Sequence, residues 1–149
     1  LSRFRAEADP AFKRRYLMAL AAFEEPALAA RGRELCLTET VPLQDLAAYV
    51  AALLANRSSR DAFWGELRER WPEVLARSGG APMLQRRLVE AMGGLTERRH
   101  LEEARAFLEA HPIESARQAA AQTLERLGQD VALRERCLPE VGRWLERRA

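Results

Sequence analysis

Apolar residues recur along this chain at the helical spacing i, i+3, i+4, i+7, and Pro or Gly interrupts them at short intervals. Asp9-Pro10 reads as an N-cap followed by proline at the first helical position. The helix after it sets Phe12, Tyr16, Leu20 and Phe23 on one face, and Glu24-Glu25-Pro26 ends it. A shorter helix over residues 26–37 follows. VPLQDLAAYVAALLAN then carries Leu43, Leu46, Ala47, Val50, Leu53 and Leu54 on the next stripe, with Asn56 as the stop.

The stretch ANRSSRDAFWGELRERWPEV, residues 55–74, opens on Ser58 or Ser59 as N-cap. Read as one helix, it returns Trp64, Leu67, Trp71 and Val74 to a single face, a core ridge against Leu53 and Leu54. Gly79-Gly80 breaks the chain, and Ala81-Pro82 starts a helix with Leu84, Leu88 and Met92 inward. Gly93-Gly94 ends it. Thr96 caps another helix, with Leu101, Ala104 and Leu108 inward, and Pro112 breaks again. A long helix carries Ala116, Ala120, Leu124, Leu127 and Val131, and Pro139 opens the last one, with Val141, Trp144 and Leu145.

The pattern predicts an all-α fold of eight helices with short connections. Alternate helix starts recur at roughly 33–38 residues, the range of helix pairs that stack in series. The tetratricopeptide consensus is missing, so irregular HEAT-like antiparallel pairs in an α-solenoid fit better, with a compact bundle as the rival architecture. No Gly/Ser-rich or Pro-rich linker divides residues 1–149, which read as one helical-repeat domain. That length suffices to bury roughly 68–70% of the unfolded chain's surface.

Composition supports the same class. The aliphatics are mostly Ala and Leu, and Ile113 is the one isoleucine, so strong helix formers dominate and β-branched residues are scarce. Lys13 is the one lysine, yet the net charge is only +2 because Glu is interleaved with Arg. Runs such as ELRER and LEEAR place opposite charges three or four apart, on solvated faces. A nucleic-acid binder gathers its cations on one stripe. Arg60, Arg68 and Arg70 therefore read as solvated or interfacial rather than base-stacking, and no nucleic-acid partner is expected. With no run of 18 apolar residues and no signal peptide, no membrane partner is expected and the cytoplasm is the default compartment. The start at Leu1, without methionine, suggests a piece of a longer polypeptide.

Candidate chemistry is sparse. Cys36 and Cys137 have no CxxC spacing and read as small buried thiols. His100 and His111 lie eleven apart, three helical turns, too far to share a metal, and HLEEA lacks the second histidine of HExxH. Both read as solvent-exposed histidines near helix ends. GxSxG, P-loop and GxGxxG motifs are absent from the sequence. No catalytic, cofactor-binding or metal residue is assigned.

The order of motifs resembles the C-terminal helical domain, ERAP1-like, of the zinc aminopeptidases related to aminopeptidase N and puromycin-sensitive aminopeptidase. RRYLMALAAFEEPALAARGRELCL is similar to a family segment of helix, acidic-Pro turn and second helix. VPLQD, with Gln44 and Asp45, resembles "V-R-x-Q-D". Residues 55–71 resemble "A-N-x-x-G-R-x-x-A-W-x-F-x-x-x-N-W": Asn56, Arg60, Trp64 and Trp71 match, while Ser59 replaces the glycine and Arg70 the asparagine. EEARAFLEAHP, with Phe107, resembles "aromatic-aromatic-x-x-x-P", with Leu108 for the second aromatic. QTLERLGQDVAL resembles "Q-x-L-E-x-I-x-x-N-V-x-W" through Gln122, Leu124, Glu125 and Val131, departing at Asp130 and Leu133. VGRWLERR, with Trp144 and Leu145, is similar to a closing "WL".

The resemblance spans residues 12–147. It implies a HEAT-like superhelical bowl that caps the active site and shapes the peptide-access cavity, non-catalytic by itself. Its partners would be an upstream catalytic domain of the same chain and the peptide substrate. Zinc, held through HExxH and a distant Glu, would belong to that upstream domain together with GxMEN. None of those motifs occurs here. The alternative is a free-standing helical-repeat scaffold for a protein partner.

Overall fold

Local start signals become helix starts. The computed structural model describes residues 1–148, and among them lie nine α-helices and no strand. They are α1 (Ser2–Ala6), α2 (Pro10–Ala21), α3 (Pro26–Leu35), α4 (Leu46–Ala55), α5 (Arg60–Glu69), α6 (Trp71–Arg77), α7 (Pro82–Ala91), α8 (Arg98–Ala110) and α9 (Arg117–Glu146). Pro10, Pro26 and Pro82 open α2, α3 and α7, where a missing N–H leaves no intrahelical bond unmade. The Asp9 carboxylate accepts from the Ala11 and Phe12 amides at 2.8 and 3.1 Å. Glu25 does the same for Ala27 and Leu28 at 3.1 and 2.9 Å, with its charge at the positive end of the helix dipole.

Helices α2, α4, α7 and α9 start 36, 36 and 35 residues apart. Each packs on the next of that series, α2 on α4, α4 on α7, α7 on α9. A second row runs alongside: α3 lies on α2, α5 on α4, α8 on α9. Side chains join its members. Arg33 of α3 donates to Glu66 of α5 at 2.9 Å, and Phe107 of α8 meets Trp64 of α5 and Trp71 of α6 edge-on. The core lies between the rows, where Leu17, Val50, Leu53, Leu54, Leu88 and Leu127 are at most 1% exposed. Burying a side chain of that size stabilises by about 1.5–3 kcal/mol.

Three glycine positions are set by backbone geometry. Gly79 and Gly80 take φ of 59° and 75° in the turn between α6 and α7, a region open to residues without Cβ. Gly32 sits where α3 crosses the end of α2, and a Cβ there would collide with the Leu20 carbonyl. The Gly32 carbonyl accepts from the buried Tyr49 hydroxyl at 2.9 Å, which ties α3 to α4.

Several sequence expectations change. Residues 55–74 are two helices, not one. Pro72 cannot extend a helix through Arg70, so α5 ends on the Arg70 N–H to Glu66 carbonyl bond and α6 starts at once, with Pro72 in its first turn. On α2 the buried residues are Leu17 and Ala21; Phe12 and Phe23 are 50% and 40% exposed. The α8 cap position is Glu97, without a side-chain cap bond, and the Thr96 hydroxyl accepts from Arg60 instead. Pro139 opens no new helix. It lies inside the 30-residue α9, which continues past the one missing N–H bond, and Val141, Trp144 and Leu145 are about half exposed. Cys36 is buried as expected, whereas Cys137 is half-buried on the projecting part of α9.

The close approach at Gly32 sets an expected outcome. Gly32→Ala lowers stability by about 1–3 kcal/mol, because the obstacle is backbone rather than a side chain that can turn away. Gly142→Ala, with nothing within 4 Å of its Cβ position, raises stability by up to about 1 kcal/mol. Thermal unfolding followed by circular dichroism should show opposite signs; equal midpoints would refute the steric account.

Candidate functional site

Short helices leave their last carbonyls without partners, and residues 55–71 answer that need at one edge of the rows. Asn56 caps α4 and turns its Nδ2 to the end of α2, donating to Ala21 O at 3.0 Å and Phe23 O at 2.8 Å. The Arg60 guanidinium closes the end of α4, giving Nε to Leu54 O at 2.7 Å and Nη2 to Ala55 O at 2.8 Å. Its Nη1 reaches Thr96 Oγ1 at 2.9 Å, ahead of α8. Arg77 of α6 donates to Cys36 O at 2.9 Å and to Val41 O, which holds the loop after α3. These cations sit at helix C-termini, where the dipole favours them.

Deeper in, α5 faces α8 across a charged and aromatic seam. Trp64 and Trp71 are each 1% exposed. Their ring centroids lie 5.6 and 5.4 Å from Phe107 at interplanar angles of 77° and 75°, the edge-to-face arrangement that aromatic quadrupoles favour. Trp64 Nε1 donates to Glu103 Oε2 at 2.7 Å. Arg68 lies over the Trp64 ring at 5.2 Å and 3.6 Å from Glu103. Asp61 receives Arg99 at 2.5 Å.

His100 joins this seam, contrary to its expected exposure. It is fully buried, with Nε2 2.9 Å from Asp61 Oδ1. The angle at that contact lies outside hydrogen-bond geometry, and neither ring nitrogen has another partner among the described residues. The spacing 100, 104, 107, 108 on the apolar stripe of α8 was the signal that sequence reasoning missed. His111 is exposed, as expected, and its Nδ1 lies 3.0 Å from the Phe107 carbonyl.

These donors do not make a zinc site. His100 faces a single carboxylate, His111 is engaged with its own helix, and among the described residues no three His, Cys, Asp or Glu side chains converge. Burial pushes the Cys36 thiol up to about 12, against the opposing pull of Arg77 and Arg70, so it stays protonated at neutral pH. Also among the described residues, no helix is long and apolar enough to cross a membrane.

Two larger concavities lie among the described residues. One, of about 790 Å³, opens over the capped helix ends and is lined by Ala22, Glu24, Arg57, Arg60, Glu97 and Arg134 among others. Arg99 engages both Asp61 and Glu97, and Arg60 is spent on carbonyls. Arg57 and Arg134, both exposed, have no ion-pair partner among the described residues. The other concavity, of about 830 Å³, runs between α4 and α7 over Leu43, Ala47, Ala51, Met83 and Leu84, an apolar groove with Arg14 and Arg87 at its margin.

The edge caps and the paired tryptophans fall on the residues that carry the family resemblance, and the family model described as ERAP1-like C-terminal domain matches residues 1–129. The chain belongs to that family. None of the curated proteins matches it. The match takes in α1 to α8 and the first part of α9, so Asn56, Arg60, Trp64, Trp71 and Phe107 lie inside it. VGRWLERR lies outside. In this ERAP1-like domain the fingerprint residues seal helix ends and fill the seam between α5 and α8.

Two outcomes follow for the seam. Asn56→Ala and Arg60→Ala each cost about 1–3 kcal/mol in urea unfolding, since both strand carbonyls at a packed edge. Arg60→Lys recovers little, because one ammonium cannot span three acceptors. For Asp61, burial favours the neutral acid, but Arg99 and His100 outweigh it and hold the carboxyl below its usual 3.8. A depressed folded-state pKa contributes stability that is present above about pH 4 and lost as pH falls through the folded value. Asp61→Asn should therefore be less stable than wild type at pH 7, with the gap closing below about pH 3. A gap unchanged between pH 7 and pH 2.5 would contradict it.

Proposed function

We propose that this domain is the non-catalytic C-terminal wall of a zinc-dependent aminopeptidase. It caps a catalytic domain in the same polypeptide and shapes the cavity through which peptides reach it. Family membership over residues 1–129 carries the reading, and the two rows of stacked helices suit a curved wall of the HEAT-like kind. Zinc and the hydrolytic chemistry belong to the upstream domain in this reading. The contribution here is steric and electrostatic.

The polar concavity over the ends of α2 and α4 supplies the electrostatic part. Arg57 and Arg134 keep free guanidinium groups there, suited to a bidentate hold on the C-terminal carboxylate of a peptide. The second reading, a free-standing helical-repeat scaffold for a protein partner, draws support from the apolar groove between α4 and α7.

The upstream reading frame separates the two: GxMEN followed by HExxH fits the aminopeptidase, and a start codon just before Leu1 fits the scaffold. The isolated chain should not turn over aminoacyl-arylamides, and turnover by the metal-stripped chain would refute the non-catalytic role. In the full-length enzyme, Arg57→Ala with Arg134→Ala should raise KM about 10-fold or more for peptides with a free C-terminus. KM for aminoacyl-arylamides, which have no such carboxylate, should not move. An equal effect on both substrates would remove the carboxylate role.

A further inference from the structure

His100 is fully buried on the first turn of α8, and among the described residues neither ring nitrogen has a hydrogen-bond partner. A neutral imidazole gains little in such a place, because its donor and its acceptor both need directed partners. An imidazolium differs. Its attraction to a carboxylate follows distance rather than angle, and Asp61 Oδ1 stands 2.9 Å from Nε2. The surroundings offer this ring a charge and no directed bond.

That charge is shared. Asp61 Oδ2 accepts from Arg99 Nη2 at 2.5 Å while Oδ1 faces His100. Arg99 also gives Nε to Glu97 Oε2 at 2.8 Å, so it can leave Asp61 without becoming unpaired. The ring is locked by burial, whereas the side chains of Asp61 and Arg99 are more than half exposed. Any rearrangement therefore falls to the carboxylate and the guanidinium.

Most other charges around the ring are already engaged. Arg60 of α5 is spent on carbonyls and Thr96, and Glu103 of α8 is taken by Trp64 and Arg68. Arg98 is turned to Glu135 of α9. Neighbouring α4 and the Met92–Gly94 turn carry no charged side chain. Arg134 of α9 lines the polar concavity together with Asp61 and Glu97. A change in how those two carboxylates are shared thus changes the charge that the concavity presents.

We propose that His100 is a buried proton-binding residue that decides which cation holds Asp61. With the ring neutral, Arg99 holds Asp61 and Glu97 together. When the ring takes a proton from solvent, the Asp61 carboxylate turns into line with Nε2–H and accepts a charge-assisted hydrogen bond. Arg99 then keeps Glu97 alone, and the cluster beside the concavity carries one more positive charge. On the reading that Arg57 and Arg134 hold a peptide carboxylate there, acidification strengthens that hold, which adds a regulation to the site.

Proton and nitrogen NMR of the chain from pH 8 to pH 5, the range in which imidazoles commonly titrate, tests the exchange of partners. His111→Gln leaves His100 as the one imidazole. Its Cε1–H resonance and the Arg99 Nε–H resonance should shift with a shared midpoint. In Asp61→Asn the His100 midpoint should fall by about one pH unit or more, and the Arg99 signal should not follow it. His100→Gln should leave Arg99 without a transition. An Arg99 signal that stays still while His100 titrates overturns the proposal, as does a His100 that does not titrate in this range. Binding of an N-acetylated peptide with a free C-terminus should tighten about threefold between pH 8 and pH 5.5, the effect of one added charge across a watery gap. His100→Gln should remove that dependence. Binding that ignores pH, or tightens equally in His100→Gln, overturns the link from His100 to the concavity. Shared titration with no peptide binding at all defeats the carboxylate-holding reading alone.

Discussion

The structure depends on donors for the C-terminal carbonyls of short helices. A helix such as α4, ten residues long, leaves four of its carbonyls outside its own ladder, so an unsealed end is a large part of the element. Here each seal comes from later in the chain. Asn56 closes α2 from the end of α4, Arg60 closes α4 from the start of α5, and Arg77 holds the segment after α3 from α6. A bond that completes one helix thereby also fixes the position of the next. Stacking and helix completion become one event.

Starts were legible in the sequence because their chemistry is local. Asp9-Pro10, Glu25-Pro26 and Ala81-Pro82 mark α2, α3 and α7 without reference to any distant residue. The apolar stripe of α4 was equally plain. The seals were not: the Asn56 side chain meets carbonyls 33 and 35 residues away, and no periodicity encodes such a pairing. Asn56 and Arg60 were visible as family marks, with their physical task hidden. The single helix expected over residues 55–74 failed for a local reason, Pro72, that the regular spacing of Trp64, Leu67, Trp71 and Val74 masked. Both tryptophans still reach one core because the chain restarts immediately, with the Arg70 carbonyl accepting from Glu73 and Val74.

Proline and histidine show the opposite limit. Pro139 reads as a helix start, yet a proline starts a new helix only where a turn leads to a surface that rewards it. Residues 140–146 remain largely exposed, so the straight path loses one hydrogen bond and no packing. His100 reads as a surface residue by its type, but its position on the stripe of α8 places it under the α5 helix, beside Asp61. In both cases tertiary context decided what residue type alone left open.

The arginines can now be sorted by what they already hold. Arg14, Arg33, Arg60, Arg77 and Arg99 are committed to carbonyls or carboxylates that join one helix to another. The net charge is only +2 because 22 Asp and Glu offset 24 Lys and Arg, and these commitments spread the cations over several helix junctions. Arg57 and Arg134, over the polar concavity, have no ion-pair partner among the described residues. Among the residues that line the polar concavity these two keep their donors, so the proposed electrostatic role of that surface rests on them rather than on Arg60.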